Sequence, residues 1–472
     1  MTGRFLTRCI PAIALALVAL APREGSAAAA PPAAIHSRLA AYEAGYYAHS
    51  SSAIPAFARK YGLACSACHT AWPELNAFGQ AFRDNGYQLG NERDSPINQS
   101  NGYFPVTVRV TPNWHLERAT NQPLDATPGD PTSGLVARTV TQSGFDLSGM
   151  DLWFAGTLYK DISFVVLPST DNFASFHFEA AFVRFDNLFQ SRWVNVKLGK
   201  FELDNMISEK RFLNLSGNGG AYQSYHFVPA GDVNDFGLGD NQIGMELAGH
   251  SINSRTRYGI AVLSSTSGNP GLVGGKSYDT YLTLSHAMEA GSLGLERFGG
   301  FGYLGQRPTN FETSGGTAIP GTGTDNKSFY RVGLNGDFFF GRLELMPLYM
   351  HASDNVYLGT GVPVGGTLPA GAVNPVWNGA FLEAHYYVNP QLVFTGRYET
   401  IRMSRQADPA TPANLGNTDA ITAGLRWYPI MFSRAGLAWH AEYSVAKVMG
   451  APLDPTQSFR TSSLMLGFDF DF

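Results

Sequence analysis

The chain has 472 residues and a formal net charge of −5, with its basic residues scattered rather than clustered, which argues against a nucleic-acid surface. Aromatic residues make up 13% and glycines number 52, yet only 15% of residues are charged, a poor mix for a soluble helical enzyme. Many short strands joined by wet turns, with aromatic girdles at a membrane interface, account for it better.

Residues 1–27 read as a secretory signal peptide. Arg4 and Arg8 form the basic start, Ile10 to Ala21 an apolar core, and Gly25-Ser26-Ala27 the small residues for cleavage. Cys9 precedes that core and leaves with it. After the signal no run of roughly 18 apolar residues remains, so no transmembrane helix is expected.

Residues 28–102 form a small helical unit. Arg38 to Tyr47 suits a short helix, and Ile54 to Gly62 a further turn or two, with Phe57 and Tyr61 neighbours at i, i+4. Cys65-Ser66-Ala67-Cys68-His69 then holds every cysteine of the exported chain. Two cysteines three apart followed by histidine is the attachment pattern of c-type haem: both sulfurs reach the two vinyl groups of one porphyrin, and the imidazole faces the iron. A redox dithiol wants a βαβ setting and a structural zinc site wants four ligands; neither surrounds this segment. A plain disulfide is the remaining alternative. Trp72-Pro73-Glu74-Leu75 starts another helix, Pro73 suiting its first turn, and Leu75, Phe78, Gly79 and Phe82 keep helical spacing up to Gly86. About 75 residues is small for a self-supporting core, and a covalent haem or a barrel wall would complete it.

The proximal ligand is therefore expected to be His69, and the covalent anchors Cys65 and Cys68. The distal ligand is open. No methionine lies between the signal and Met150. His49 is the candidate within the unit, against a water-filled sixth position or a lumen-facing barrel residue such as His177, His385, His440 or Met465.

The stretch Ala53-Ile54-Pro55-Ala56-Phe57-Ala58-Arg59-Lys60-Tyr61, the Cys65-x-x-Cys68-His69 motif, and Pro73-x-Leu75-Asn76-x-Phe78-Gly79-x-x-Phe82-x-x-Asn85-Gly86-Tyr87 together resemble the haem segment of monohaem porin–cytochrome fusions. These are outer-membrane proteins best known from iron-oxidising bacteria. The motif covers about 35 residues, and the plan of signal, one haem and barrel runs the whole length. The resemblance implies one haem c held by Cys65 and Cys68 with His69 on the iron, and Fe(II) among the electron donors.

Residues 103–472 are expected to form an outer-membrane β-barrel of about sixteen antiparallel strands. In Leu464 to Phe472 every even position is large and apolar, while the odd ones are Met465, Gly467, Asp469 and Asp471, the period-two pattern of one greasy and one wet face. Leu437, Trp439, Ala441, Tyr443 and Val445 likewise oppose His440, Glu442 and Ser444. Phe176, Phe178, Ala180 and Phe182 oppose His177 and Glu179, and Ile243, Met245 and Leu247 oppose Gln242, Gly244 and Glu246. The chain closes on Phe472, as bacterial barrels do. Strands are expected near 103–117, 148–159, 162–170, 174–184, 192–203, 241–250, 255–264 and 278–287. Eight more fall near 296–306, 328–338, 342–352, 376–388, 391–403, 418–429, 435–448 and 460–472. Long connections (118–147, 204–240, 265–277, 307–327, 353–375, 404–417) tend to alternate with short ones such as Lys160-Asp161 and Asn389-Pro390, which puts both ends of the barrel in the periplasm.

Two functions follow from this plan. One is an electron conduit, in which a soluble extracellular donor, Fe(II) or another, passes electrons by way of a barrel-held haem to a periplasmic cytochrome c or similar carrier. Fe(II) prefers oxygen and imidazole ligands, and Asp232, Asp235 and Asp240 of an outer loop offer oxygens. The alternative is a porin with a haem-bearing plug for small solutes. Val196 to Phe201 resembles a stretch of anion-selective porins, and Lys197, Arg397 and Arg426 face inward. Glu179, Glu246, Glu383, Glu399 and Glu442 share that face, and a mixed-sign lumen suits a docked plug. Partners on either account include outer-membrane lipid. A peroxidase-like enzyme lacks a distal acid–base pair.

Overall fold

The computed structural model describes residues 56–89, 106–159, 161–170, 175–208, 213–216, 218–229, 236–239, 241–264, 278–307, 313–314, 317–318, 327–360, 367–431 and 435–472. The signal peptide, the Arg38–Tyr47 helix, His49, Asp232, Asp235 and Asp240 lie outside them.

Sixteen strands close into one antiparallel barrel. They are β1 (Val106–Asp125), β2 (Leu135–Tyr159), β3 (Ile162–Thr170), β4 (His177–Phe185), β5 (Asn195–Phe201), β6 (Gln242–His250), β7 (Thr256–Ser264) and β8 (Tyr278–Glu289). The second half is β9 (Leu295–Arg307), β10 (Lys327–Phe340), β11 (Leu343–Ser353), β12 (Val376–Asn389), β13 (Leu392–Arg405), β14 (Thr418–Met431), β15 (Gly436–Ala451) and β16 (Asp454–Asp471). Each pairs with its chain neighbours, and β16 returns to β1 with Leu464 opposite Leu116. Closure leaves no strand edge unpaired, which a sheet in hydrocarbon requires. The alternation sets the two faces: Leu466 is 45% exposed beside a fully buried Met465, and Trp439, Tyr443 and Phe472 are exposed beside buried His440, Glu442 and Asp471.

Three features depart from simple alternation. The hairpins β1–β2 and β15–β16 run on to Asp125 opposite Leu135 and to Ala451 opposite Asp454, well past their expected ends. Their outer halves are Thr, Gln, Ser and Arg, so the ladder continues where the apolar pattern has stopped. In β4 the pairing slips between Leu167 and Pro168, whose partners are Ala180 and Phe178. Glu179 is the extra residue of this bulge and reverses the parity beyond it. Phe178 stays exposed as expected, but Ala180 is buried and Phe182, expected on the lipid side, packs on lumenal clusters. The connection after β5, expected as an outer loop at 204–240, has its described residues packed inward. Tyr222 stacks on Phe381 of β12 at 4.3 Å, and the Ser224 amide and hydroxyl each donate to Glu399 of β13 at 2.7 Å. Tyr222, Tyr225, Phe236 and Leu238 are all buried, a density of large apolar groups that a solvated loop would not carry.

The N-terminal segment crosses the lumen at the end bearing the short turns. It comprises helices α1 (Ala56–Tyr61), α2 (Cys65–Cys68) and α3 (Ala77–Asp84). Phe57 and Tyr87 pack on Ala155, Val165, Leu167 and Ala180 of β2 to β4. On other sides of the ring, Tyr428 of β14 donates to the Trp72 carbonyl at 2.6 Å, and Glu74 meets Tyr387 and His385 of β12. The firmest clamp is ionic. Arg257 of β7 reaches Asp84 at 2.8 Å and Asp204 at 2.6 Å, Arg83 joins Asp204 at 3.1 Å, and Arg184 of β4 donates to the carbonyls of Arg83 and Asp84, both at 2.9 Å. The Arg59 side chain lies outside the described ones, and Lys60 sits over the Tyr61 ring.

This clamp has a defined response to acid. Burial raises the Asp84 carboxyl, but Arg257, His250 and Arg83 together outweigh it and hold the group well below the usual carboxylate range. A depressed folded value means that the stabilisation is complete above the ordinary Asp value of about 3.9 and fades only as pH falls through the lower one. The segment should therefore stay docked, and resistant to protease, from neutral pH down to about 5. Release on crossing pH 6, about where histidine titrates, would show that His250 rather than Asp84 governs docking.

Candidate cofactor site

The Cys65–Cys68 turn is braced by the residues that follow it. One helical turn puts the two sulfurs on one side at i, i+3, and the backbone becomes extended at His69. Asn76 holds the turn from below: its amide nitrogen donates to the carbonyls of Ser66 and Ala67 at 3.1 and 3.2 Å, while its oxygen accepts from the Gly79 amide at 2.9 Å and caps α3. Gly79 is required because a Cβ there would lie 2.0 Å from the Cys68 carbonyl oxygen. Gly86, at φ +75, makes the turn after α3 under the Asp186 carboxylate. The two thiols are not joined in a disulfide. If these cysteines carry haem, Gly79→Val should push the Cys68 carbonyl aside and cut the haem-to-protein ratio of the purified barrel several-fold. An unchanged ratio would mean that this packing does not set the geometry of the cysteines.

His69 is presented in the form that binds a metal. Its Nδ1 lies 3.1 Å from the Pro73 carbonyl and 3.0 Å from that of Glu74, so the proton sits on Nδ1 and Nε2 keeps its lone pair. Burial pushes the imidazole down to about 4, only partly offset by those two carbonyls, and it is neutral at pH 7.

Cys65, Cys68 and His69 open on one cavity of about 570 Å³ between the segment, the wall and the infolded loop. That is within the range of cofactor pockets, about 300–1,000 Å³. Phe57, Phe82 and Trp72 line it from the segment, and Trp153, Leu167 and Phe182 from the wall. Arg83, Arg109, Arg184 and Lys197 also line it, together with the carboxylates of Asp151, Glu179, Glu202 and Asp471, so its charged lining carries both signs. Two thiols one turn apart, a neutral imidazole and a chamber with a mainly apolar surface fit a c-type haem.

The other candidates are placed elsewhere. His177 is exposed. His385 is wedged among Glu344 at 3.0 Å, Glu383 at 2.8 Å and Glu74 at 3.0 Å, and Glu74, Glu344 and His385 form a metal-like cluster at the seam of segment and wall. His440 Nε2 pairs with Asn113 at 2.6 Å, and Met465 is buried in the wall. None of these four lines the cavity. His226, on the short helix α4 (Gln223–His226) of the infolded loop, does. Sequence patterning missed it because that loop was expected outside. The inward charges work as clamps: Lys197 pairs with Glu246 at 2.6 Å and Arg397 with Glu383 at 3.1 Å, Arg426 contacts Asp469, and Glu442 accepts from the Leu215 and Ser216 amides at 2.6 and 3.2 Å. Glu179, in the bulge, accepts from Ser169 at 3.2 Å.

No family model matches the sequence, and the search of curated proteins finds no relative. Among solved structures the chain is similar to an anion-selective porin from Comamonas acidovorans, at 12% identity and a TM-score of 0.48, over 78% of this chain and 99% of that one. It is also similar to the outer membrane channel DcaP of Acinetobacter baumannii, at 11% and 0.46 over 78% and 97%. OmpF of Salmonella typhi, in complex with daunomycin, gives 10% and 0.45 over 78% and 97%.

Proposed function

We propose that the chain is an outer-membrane barrel holding one covalent haem c in its lumen, and that it passes electrons from a soluble extracellular donor, Fe(II) first among them, to a periplasmic carrier such as a cytochrome c. The observation that carries this reading is the opening of Cys65, Cys68 and His69 on a single lumenal cavity sized for a cofactor. The exposed belt of Trp439, Tyr443, Leu466 and Phe472, with every strand edge paired, supports residence in a bilayer. When bound, the haem supplies reversible one-electron exchange. The chain's own part is to tether it by two thioethers, to hold His69 neutral and oriented, and to keep solvent off with Phe57, Phe82 and Trp72. Fe(II) oxidised on the outer side leaves Fe(III) there, which keeps mineral out of the cell. The test is stopped-flow reduction of the oxidised protein by Fe(II) beside its midpoint potential. Reduction that saturates with Fe(II) is expected; an inert protein would require another donor.

A second reading takes the barrel at face value and is the one the fold alone favours. A closed sixteen-strand barrel is the build of a solute channel, and a haem-bearing plug could gate or decorate it. It predicts steady conductance and transport of small solutes by the intact protein.

A further inference from the structure

We infer that His226 supplies the second axial ligand of the haem, opposite His69, so that the iron is held between the N-terminal segment and the infolded loop. This rests on the haem reading above and adds to it the loop as a working part of the site. The segment enters from the short-turn end of the barrel, while the loop follows β5 and enters from the other end. Their levels can be compared on the β12–β13 ladder. Glu74 is anchored at His385, which faces Thr395 of β13, and Ser224 is anchored at Glu399, four residues further along the same strand. At about 3.3 Å per residue the two anchors are roughly 13 Å apart, with the cavity reached by both His69 and His226.

The backbone carrying His226 is fixed on both sides. Tyr222 stacks on Phe381, the Tyr225 hydroxyl donates to the Ile207 carbonyl at 3.0 Å, and Phe227 packs edge-on against Trp377 at 4.8 Å. Ligands held by a preset backbone need little ordering when the group binds. Among the described residues that line the cavity, no methionine occurs. His226 is the histidine there besides His69.

Spectroscopy of the full-length protein decides the matter. Oxidised wild type should give the low-spin electron paramagnetic resonance signal of a bis-histidine haem. His226→Ala should keep the covalent haem, shown by an unchanged pyridine haemochrome, but turn mostly high-spin and regain the low-spin signal on adding imidazole. His226→Met should show the near-infrared charge-transfer band of a methionine–iron bond. A high-spin wild type, or a low-spin His226→Ala, would overturn the assignment. If the alanine variant fails to fold, the wild-type signal and the methionine variant still decide. Absence of any haemochrome in the wild type would instead remove the haem reading itself.

Discussion

Deleting residues 28–102 should turn a closed barrel into a conducting one. The segment touches β2 to β4, β7, β12 and β14, on several sides of the ring, so it bridges the lumen rather than hanging from one wall. Sixteen strands alone leave an aqueous channel. Planar-bilayer recordings should give low conductance for the intact protein and a many-fold rise after deletion, short of a fully open pore because the infolded loop still fills part of the lumen. High, steady conductance from the intact protein would favour the channel reading and detach the segment from the barrel.

Arg257→Met should loosen the segment more than any other single wall substitution. Arg257 joins Asp84 of the segment to Asp204 of the infolded loop, and all three are buried. Removing one partner of a buried ion cluster leaves its charges unpaired and costs about 3–5 kcal/mol. Asp204 keeps Arg83, while Asp84 loses its only direct ion-pair partner among the described residues. Protease digestion of folded barrels should then cut within residues 56–89 roughly a hundredfold faster or more, at about 1.4 kcal/mol per tenfold, while the strands stay intact. Equal digestion rates would mean that packing of Phe57 and Tyr87 suffices to hold the segment.

The barrel was legible because its lipid band writes the pattern directly. Leu464 to Phe472 alternates without a break, and the expected ranges of β3 and β6 to β14 lie within two residues of those observed. Legibility failed where hydrocarbon no longer dictates the side chains. Beyond the band β1 and β2 pair through polar residues, and Glu179 slips the register so that Phe182 turns inward. The inward packing of the loop after β5 is hidden by its length and glycine content, although Tyr222, Tyr225, Phe236 and Leu238 carry the signal. The Cys65–His69 motif stood out by itself, since its chemistry is local. Arg257, which clamps Asp84, and His226, which lines the same cavity from the infolded loop, depend on tertiary placement that no local pattern encodes.

A haem joined to Cys65 and Cys68 is what separates an electron carrier from a plain solute channel. Full-length protein matured with the haem-attachment machinery should give a two-thioether pyridine-haemochrome band of one haem per chain that survives acid-acetone extraction. Cys65→Ala with Cys68→Ala should abolish it, while leaving a barrel that folds and resists protease. Haem that extracts into acid acetone, or a band that persists without both cysteines, would contradict covalent attachment at Cys65 and Cys68.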